Sequence, residues 1–195
     1  MTSPTILLLA AGASSRMKGR DKMLEEVEGQ PLLRLMARRA LKSGVPVRVV
    51  LGPGQDARRA ALEGLEVTIT EAEGSDGMAA SIRAGVAGLR GPVLILLADM
   101  PEITAGDIYL MVSMHAQAPT AILRAATHDG RPGHPVLFPA DLLPELSRLS
   151  GDEGARAVLK REDARVHLLP LKDDRAAVDL DTPEAWAAWR AGRAT

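Results

Sequence analysis

Short runs of consecutive apolar residues alternate along the chain with longer segments in which apolar residues recur at helical spacing. The clearest runs are Thr5–Ala10 and Pro92–Ala98, which consist largely of Leu, Ile and Val. Strands that are apolar at consecutive positions are buried on both faces, so these two are predicted to lie at the centre of a sheet. The complete set of predicted strands is Thr5–Ala10, Val45–Leu51, Glu66–Thr70, Pro92–Ala98, Thr120–Ala125, Val136–Phe138 and Val166–Leu171.

The segments between these strands carry the helical pattern. Pro31 suits the first turn of a helix, and Gly44 ends that helix before the next strand. Between them, Leu32, Leu35 and Met36 fall at helical spacing. The other predicted helices are Asp56–Leu62, Met78–Leu89, Thr104–Ala116, Pro139–Leu149, Gly154–Lys160 and Thr182–Ala191. This alternation predicts an α/β fold with a mostly parallel central sheet that is covered by helices on both faces.

The length of 195 residues suits one domain with a sizeable core. No internal repeat or low-complexity linker divides the sequence, so we expect a single domain over residues 1–195. The densest loop signal is Thr127–Pro135, with the sequence THDGRPGHP. It predicts a long functional or inserted loop rather than a domain boundary.

Composition excludes some classes of partner. Lys and Arg together number 24 and Asp and Glu 25, so the chain has no net positive charge to attract nucleic acid or an anionic membrane. Aromatic residues make up only 2%, too few for platforms that stack single-stranded bases. The absence of cysteine fits a reducing compartment, and the opening MTSPTILLLAAG has neither a basic leader region nor the length to span a bilayer. We therefore expect a cytoplasmic protein that binds neither nucleic acid nor membrane.

The loop after the first predicted strand is the first candidate ligand site, because an α/β sheet binds ligands at the carboxyl ends of its strands. From Ala10 to Met17 it reads AAGASSRM. It lacks the G-x-x-x-x-G-K-[ST] phosphate loop, and it lacks the G-x-G-x-x-G fingerprint that a dehydrogenase would carry. Its small residues would let backbone N–H groups approach a ligand closely, and Arg16 and Lys22 supply cations for phosphate oxygens.

Two acidic segments are candidates for a metal site. Asp99 stands at the exit of an apolar strand, in LILLADMPEI, and hard cations such as Mg²⁺ take carboxylate oxygens there and share them with phosphates. Its alternative role is to cap the turn ahead of Thr104. In VDLDTPE, alternation places Asp179 and Asp181 on the same side of an extended segment. Either could be a ligand, and a purely capping role for the pair stays open.

Taken in chain order, the motifs resemble those of nucleotidyltransferases. The pattern L-A-A-G-x-S-x-R-M-x-G followed by Lys is similar to the signature loop of enzymes that move a nucleoside monophosphate from an NTP onto an acceptor phosphate. Together with GMAASIRAGV, LILLADMPEI, GRPGHPVLF, GDEGARAVL and DLDTPEAW, it resembles the molybdenum-cofactor cytidylyltransferases over almost the whole chain. The resemblance implies a Rossmann-like three-layer α/β/α fold, with NTP binding in residues 1–100 and acceptor binding in residues 101–195.

The activity implied by the resemblance is transfer of CMP from CTP to the phosphate of a molybdopterin-type cofactor, with release of pyrophosphate. Mg²⁺ is the implied metal, and Mn²⁺ is an acceptable substitute because both take oxygen ligands. A recipient molybdoenzyme or its chaperone is a further implied partner. No general base is expected, since the attacking phosphate is already ionised near pH 7.

The resemblance also assigns roles to individual residues. Lys22 would hold the phosphates between donor and acceptor, and Arg16 the departing β- and γ-phosphates. Asp99, with Asp179 or Asp181, would hold the metal. The implied nucleotide-binding residues are Leu9, Ala10, Ala11, Gly12, Ala13, Ser14, Met17, Gly74 and Ser81, and the implied acceptor-binding residues are Arg131, His134, Asp152 and Arg156. Ser81 would contact the base, although Ala79 replaces the first Ser of the usual G-L-S-x-S pattern.

Three alternatives remain open at this point. Guanylyl-transferring relatives tend to carry Gly in place of Ala11, so CTP is expected here, but GTP is the competing donor. A transferase for a sugar or alcohol phosphate would use the same loop and the same Asp99, although GDEGAR and GRPGHP argue against it. A non-catalytic protein that binds and escorts the finished cofactor would show a degenerate site, whereas Lys22 and Asp99 are both present.

Overall fold

The computed structural model describes residues 2–73, 77–151 and 154–193. Its strands are β1 (Thr5–Leu9), β2 (Glu26–Val27), β3 (Gln30–Pro31), β4 (Val47–Leu51), β5 (Thr68–Glu71), β6 (Val93–Leu97), β7 (Ile122–Ala126), β8 (Pro132–Phe138) and β9 (Val166–Pro170). Its α-helices are α1 (Leu32–Leu41), α2 (Asp56–Ala61), α3 (Gly77–Val86), α4 (Ala105–His115), α5 (Leu143–Leu146), α6 (Arg156–Arg161) and α7 (Pro183–Arg193).

Seven of the strands form one sheet in the order β5-β4-β1-β6-β8-β7-β9. The pairs β1–β4, β1–β6, β4–β5 and β7–β9 are parallel. Only β8 runs against its neighbours, β6 and β7. The predicted mostly parallel sheet is confirmed, and β1 and β6 lie side by side in its interior as their apolar sequences require.

Helices cover both faces of the sheet, because successive side chains of a strand point to opposite sides. Ile6 and Leu8 of β1 pack in a core with residues of α1, α4 and α7. Leu7 and Leu9 pack in a second core with residues of α3, α5 and α6. The predicted three-layer α/β/α arrangement is therefore confirmed. Within the part of the chain that the structure describes, no helix has the length and apolar character needed to cross a membrane.

The structure corrects the predicted loop Thr127–Pro135. Its second half belongs to a strand, because β8 begins at Pro132. Pro132 pairs with Ala126, but the register shifts between Ala126 and Arg124, so Pro135 falls at an irregular point of the ladder. Proline lacks the N–H that a regular ladder needs and is tolerated at such irregularities. The Gly and Pro residues of this segment were therefore misleading as loop signals.

Two smaller differences between the predicted and the observed elements also have local causes. The predicted helix Pro139–Leu149 is divided into a 3₁₀ turn, Ala140–Leu142, and the one-turn helix α5. The β2–β3 hairpin was not predicted; its turn places Glu28 at φ 52° and Gly29 at φ 74°. Positive φ at both central positions is the geometry of a tight hairpin turn, but Glu-Gly is a weak signal for it.

Candidate active site

An open cleft of about 800 Å³ lies at the edge of the sheet where β1 and β6 end and the antiparallel β8 begins. Part of its wall, here called the apolar lining, consists of Leu9, Ile82, Ile95, Leu97, Val136, Phe138 and Leu159. Its charged side chains are Arg16, Lys22, Asp99, Arg124, Arg156, Asp179 and Asp181. The cleft thus has an apolar part and several opposite charges at the place where α/β sheets bind ligands.

Lys22 lies at the centre of the charged groups. It opens a 3₁₀ turn, Lys22–Leu24, and its Nζ lies 2.5 Å from Asp99 Oδ2 and 2.6 Å from Asp181 Oδ1. Arg16 Nη2 lies 2.9 Å from the other oxygen of Asp181. The structure therefore brings together four of the residues predicted from the sequence, from three separate segments of the chain.

The ammonium of Lys22 stays charged although its side chain is only 12% exposed. Burial opposes the charged form, but the nearby charge of Asp99 and hydrogen bonds to Asp181 and Asp99 outweigh burial and raise the pKa of Lys22. A permanently cationic Lys22 is suited to neutralise phosphate oxygens rather than to transfer protons.

The two carboxylate oxygens of Asp99 differ in their contacts. Its Oδ2 is taken by Lys22, but its Oδ1 is buried and has no hydrogen-bond partner among the described residues. A buried carboxylate oxygen without a partner costs free energy, and it is a ligand type that Mg²⁺ and Mn²⁺ take. The backbone N–H of Leu180 donates to the Asp99 carbonyl at 3.2 Å and so keeps Asp179 and Asp181 beside Asp99. These carboxylates fit a divalent cation.

The predicted nucleotide-binding residues divide into two groups. Those that line the cleft are Leu9, Ala10, Ala11, Gly12, Ala13 and Ser81. A Cβ at Gly12 would meet nothing within 4 Å, so this position leaves room for a ligand. Met17 is instead fully buried in the core, and Ser14 faces Asp21 and Arg58 outside the cleft. Gly74 lies outside the described residues.

The predicted acceptor-binding residues also divide. His134 and Arg156 line the cleft. Arg131 does not; it is exposed, and its Nη2 lies 3.9 Å from Asp174 Oδ1. Asp152 lies outside the described residues. Arg124 of β7, which sequence reasoning missed, lines the cleft beside His134 and Arg156. An arginine in a strand that is otherwise apolar was the available signal.

His134 is neutral at pH 7. Burial lowers its pKa to about 4, with a further contribution from the charge of Arg124. Its Nδ1 is buried and has no hydrogen-bond partner among the described residues. The neutral imidazole can donate or accept a hydrogen bond with a ligand, but it carries no positive charge to neutralise a phosphate.

Arg124 and Arg156 form the second cationic part of the cleft. Arg124 Nε donates to the Gly133 carbonyl at 3.2 Å. Within the described residues neither guanidinium has a carboxylate within ion-pairing distance. Burial, and then the charge of Arg156, lower the pKa of Arg124, which indicates that the two cations act on each other. Two arginines in one cleft without a paired carboxylate are suited to an anion.

A second group of possible metal ligands lies outside the cleft. It consists of His128, Asp129 and Asp174, all exposed, with ligand atoms within 4.8 Å of one another. Exposed acidic groups of this kind are common on protein surfaces without a bound ion. Asp99, which is only partly exposed and has a buried oxygen without a partner among the described residues, is the stronger candidate.

The sheet, the cleft at its strand ends and the paired lysine and carboxylates define an enzyme of the nucleotidyltransferase class. The chain belongs to the family of the MobA-like NTP transferase domain, whose sequence pattern matches residues 6–166. The predicted resemblance is thus confirmed, and the chain acts as a nucleotidyltransferase on a nucleoside triphosphate.

Several curated relatives are similar over nearly the whole chain. The molybdenum cofactor guanylyltransferase of Pseudomonas aeruginosa PAO1 is 32% identical over 193 residues, covering 95% of this chain and 94% of the relative. The nicotine blue oxidoreductase of Paenarthrobacter nicotinovorans is 31% identical over 190 residues, covering 92% and 93%. Among solved structures, Rv0371c of Mycobacterium tuberculosis H37Rv superposes with a TM-score of 0.81 at 27% identity, over 96% of this chain and 98% of that chain. The predicted nucleotidyltransferase fold is therefore confirmed.

Proposed function

We propose that this protein transfers CMP from CTP onto the phosphate of a molybdopterin-type cofactor and releases pyrophosphate. The observation that carries the proposal is the arrangement of the cleft. Lys22 and Arg16, which pair with Asp99 and Asp181, are two cations that can contact phosphates, and Arg124 and Arg156 are two more. Two pairs of cations in one cleft suit a reaction between two phosphorylated substrates.

At the donor side, an oxygen of the acceptor phosphate attacks the α-phosphorus of CTP. The bond from that phosphorus to the bridging oxygen of the β-phosphate breaks, and its electron pair leaves with pyrophosphate. Lys22 would lie against the donor and acceptor phosphates, and Arg16 against the departing pair. A divalent ion on Asp99, together with Asp181 or Asp179, would supply charge neutralisation for the triphosphate. Positioning and electrostatics then provide the rate, since the attacking phosphate needs no base.

At the acceptor side, the apolar lining favours a flat heterocycle over a sugar. A sugar phosphate carries hydroxyl groups around its ring that need hydrogen-bond partners, whereas a pterin has apolar faces, which the apolar lining can cover, and polar groups only at its edge. The ring of a pterin would lie against this surface with its phosphate toward Arg124 and Arg156. Neutral His134 would exchange a hydrogen bond with a ring nitrogen or its substituent.

The choice of base is proposed to depend on Ala11. Its carbonyl accepts a hydrogen bond from Gln55 Nε2 at 3.0 Å, so the backbone is held while its methyl group lines the cleft. That methyl would reduce the space for a purine ring. Because a guanylyltransferase is among the relatives, GTP is the competing donor. Ala11→Gly is expected to shift the CTP-to-GTP ratio of kcat/KM toward GTP; an unchanged ratio would show that Ala11 does not select the base.

The test measures pyrophosphate release. Purified protein and Mg²⁺ are mixed with each nucleoside triphosphate, either alone, with molybdenum cofactor or with sugar phosphates. We expect release only with CTP and cofactor together, and loss of release in Asp99→Asn. Asp174→Asn, at an exposed aspartate outside the cleft, is the control and should retain activity. Release with sugar phosphates instead of the cofactor, or with GTP instead of CTP, would contradict the proposed acceptor or donor respectively.

A second arm addresses the similarity to the nicotine blue oxidoreductase, since the apolar lining would also accept a flat dye. The protein is mixed with NADH or NADPH and nicotine blue, and nicotinamide oxidation is followed. We expect none, because the loop after β1 lacks the G-x-G-x-x-G fingerprint of a dinucleotide-binding fold. Steady oxidation without pyrophosphate release would replace the transferase proposal with an oxidoreductase.

The role of Arg124 in binding the acceptor phosphate is tested by comparison with Arg131. Arg124→Gln should raise the KM for the cofactor on the order of tenfold or more, because it removes a charge-assisted contact to phosphate. Arg131→Gln should leave that KM within about twofold, since the exposed Arg131 does not line the cleft. The reverse ranking would place the acceptor phosphate near Arg131.

A further inference from the structure

Arg58 is a buried cation that the mechanism above does not use. It lies on α2, outside the cleft lining, and is only 2% exposed. Its Nε lies 2.7 Å from Asp21 Oδ2 and its Nη2 lies 2.8 Å from Asp21 Oδ1. This two-point pairing uses the planar fork of arginine, which a lysine cannot reproduce.

The same guanidinium holds two further points of the nucleotide loop. Nη1 donates to the carbonyl of Ala10, where β1 ends, and Nη2 donates to Ser14 Oγ at 3.1 Å. Ser14 has a left-handed backbone, with φ 52°, which is uncommon for a residue other than glycine. Arg58 therefore contacts the loop at its start, its middle and its end.

These contacts converge on Lys22. Asp21 Oδ1 accepts from the backbone N–H of Met23 at 2.9 Å and so begins the 3₁₀ turn that carries Lys22. Ser14 Oγ accepts from the backbone N–H of Lys22 itself at 3.2 Å. Burial opposes ionisation of Asp21, but the hydrogen bond to Arg58, with that from Met23, outweighs it and lowers the pKa of Asp21. The Arg58–Asp21 pair is therefore charged on both sides at neutral pH.

We propose that Arg58 is a positioning residue that acts through Asp21 and Ser14 to aim the Lys22 ammonium at the phosphates of the nucleotide. The loop is then organised before substrate arrives, so binding does not have to order it. The inference rests on nucleotide binding in this cleft, but not on CTP as the donor or on the identity of the acceptor.

The experiment measures nucleotide binding without an acceptor. Isothermal titration calorimetry gives the Kd of CTP, and separately of GTP, with Mg²⁺ present. Arg58→Met is compared with Arg34→Met, whose parent Arg34 also ties down backbone, donating to the carbonyls of Ala61 and Glu63 at 2.9 Å each, but away from the cleft. We expect Arg58→Met to raise Kd on the order of tenfold or more, and Arg34→Met to leave Kd within about twofold.

A double-mutant cycle separates positioning from general loss of structure. In a Lys22→Ala background, Arg58→Met should raise Kd by less than about threefold, because the group it positions is already absent. An equal loss in both backgrounds, or an unchanged Kd in the single variant, would overturn the inference. Arg58→Lys should be intermediate, since one ammonium cannot replace the fork.

Asp21→Asn serves as a second variant in case replacement of the buried arginine prevents folding. It weakens the same pairing from its less buried partner, and it should raise Kd when Lys22 is present but not in the Lys22→Ala background. The absence of either effect would overturn the inference. Binding of GTP rather than CTP would contradict only the proposed donor, and the comparison of Arg58→Met with Arg34→Met would still decide the inference about Arg58. A wild-type protein that binds neither nucleotide would overturn both the proposed donor and that inference.

Discussion

At the scale of single residues, the charge state of each group follows from its neighbours rather than from its type. Lys22 keeps its proton because two carboxylates lie within 2.6 Å of its Nζ, although it is largely buried. His134 is neutral because partial burial, and then the charge of Arg124, lower its pKa. One cleft thus holds a cationic lysine and a neutral histidine at the same pH. The lysine is tested by the rate of the reaction and the histidine by the pH dependence of stability.

Lys22→Ala is predicted to lower the rate of pyrophosphate release on the order of 10²- to 10³-fold, because it removes a preorganised charge from the developing phosphate charges. The measurement is the initial rate with the nucleotide and acceptor that support turnover in the wild type. Lys18→Ala is the matched control. Lys18 lies in the same loop but is 71% exposed and pairs with Glu184 at the surface, so its removal should change the rate by less than about twofold. A Lys22→Ala enzyme with half the wild-type rate would contradict this role.

His134 is predicted to make stability fall on acidification. The unfolded chain takes up the histidine proton near pH 6.5, but the folded chain does so only near pH 4. Between these values the unfolded state holds more protons, so the free energy of unfolding decreases as the pH falls, by up to about 3 kcal/mol. Urea unfolding at pH 7, 5.5 and 4.5 measures the slope. His134→Gln should flatten it, whereas the same change at exposed His167 should not; equal slopes in all three proteins would contradict the assignment.

At the scale of elements, the site depends on how closely β8 approaches the 3₁₀ turn Arg175–Ala177. A Cβ at Gly133 would lie 1.8 Å from the carbonyl oxygen of Ala176, far inside contact distance. Glycine is therefore required for this packing rather than for a special backbone angle. The turn leads directly into Asp179 and Asp181, so its position sets theirs.

Gly133→Ala is predicted to destabilise the fold by about 1–3 kcal/mol and to weaken nucleotide binding, because the turn must move away and take Asp181 with it. Urea unfolding and calorimetric Kd with Mg²⁺ measure the two effects. Gly106→Ala is the control: its Cβ would meet only Thr104 Oγ1 at an ordinary 3.6 Å, and alanine favours the helix. If Gly133→Ala bound nucleotide as tightly as Gly106→Ala does, the proposed link to Asp181 would be wrong.

The sequence was informative about elements where one physical signal dominated. Continuous apolar runs identified β1 and β6 as interior strands, because only a strand covered on both faces has that pattern. β8 was predicted only in part because its glycine and prolines serve close packing and an irregular ladder, while they resemble loop signals. Motif order indicated that Lys22 and Asp99 belong to one site.

Side chains that act across the fold could not be identified in the same way. Arg58 lies in a short polar helix, where an arginine ordinarily faces solvent, and only the three-dimensional structure places Asp21 opposite it. Ser14 and Met17 belong to the signature motif but lie outside the cleft. A motif therefore indicated which segment forms the site, but not which of its side chains point into the cleft.

At the scale of the whole molecule, the cleft is completed by residues 178–193, here called the closing segment. The matched family region ends at residue 166, so Asp181 and Asp179 come from beyond it. The closing segment is anchored by Trp186, which is fully buried against the α1 side of the sheet, with Arg190 stacked 4.9 Å above its ring. Burial of this large aromatic residue anchors α7, which begins only two residues after Asp181.

Trp186→Ala is predicted to lower the free energy of unfolding by about 3–5 kcal/mol, because it empties a large buried site. It should also raise the Kd for nucleotide, since Asp181 is no longer held beside Lys22. Trp186→Phe is the matched variant. The indole N–H has no hydrogen-bond partner among the described residues, so phenylalanine keeps most of the packing and loses no bond. The free energy of unfolding in urea and the calorimetric Kd for nucleotide with Mg²⁺ then distinguish two ways in which Asp181 is held. If both variants bound nucleotide like the wild type, Asp181 would be held by the Leu180–Asp99 backbone bond alone; a loss confined to Trp186→Ala would show that α7 keeps the cleft assembled.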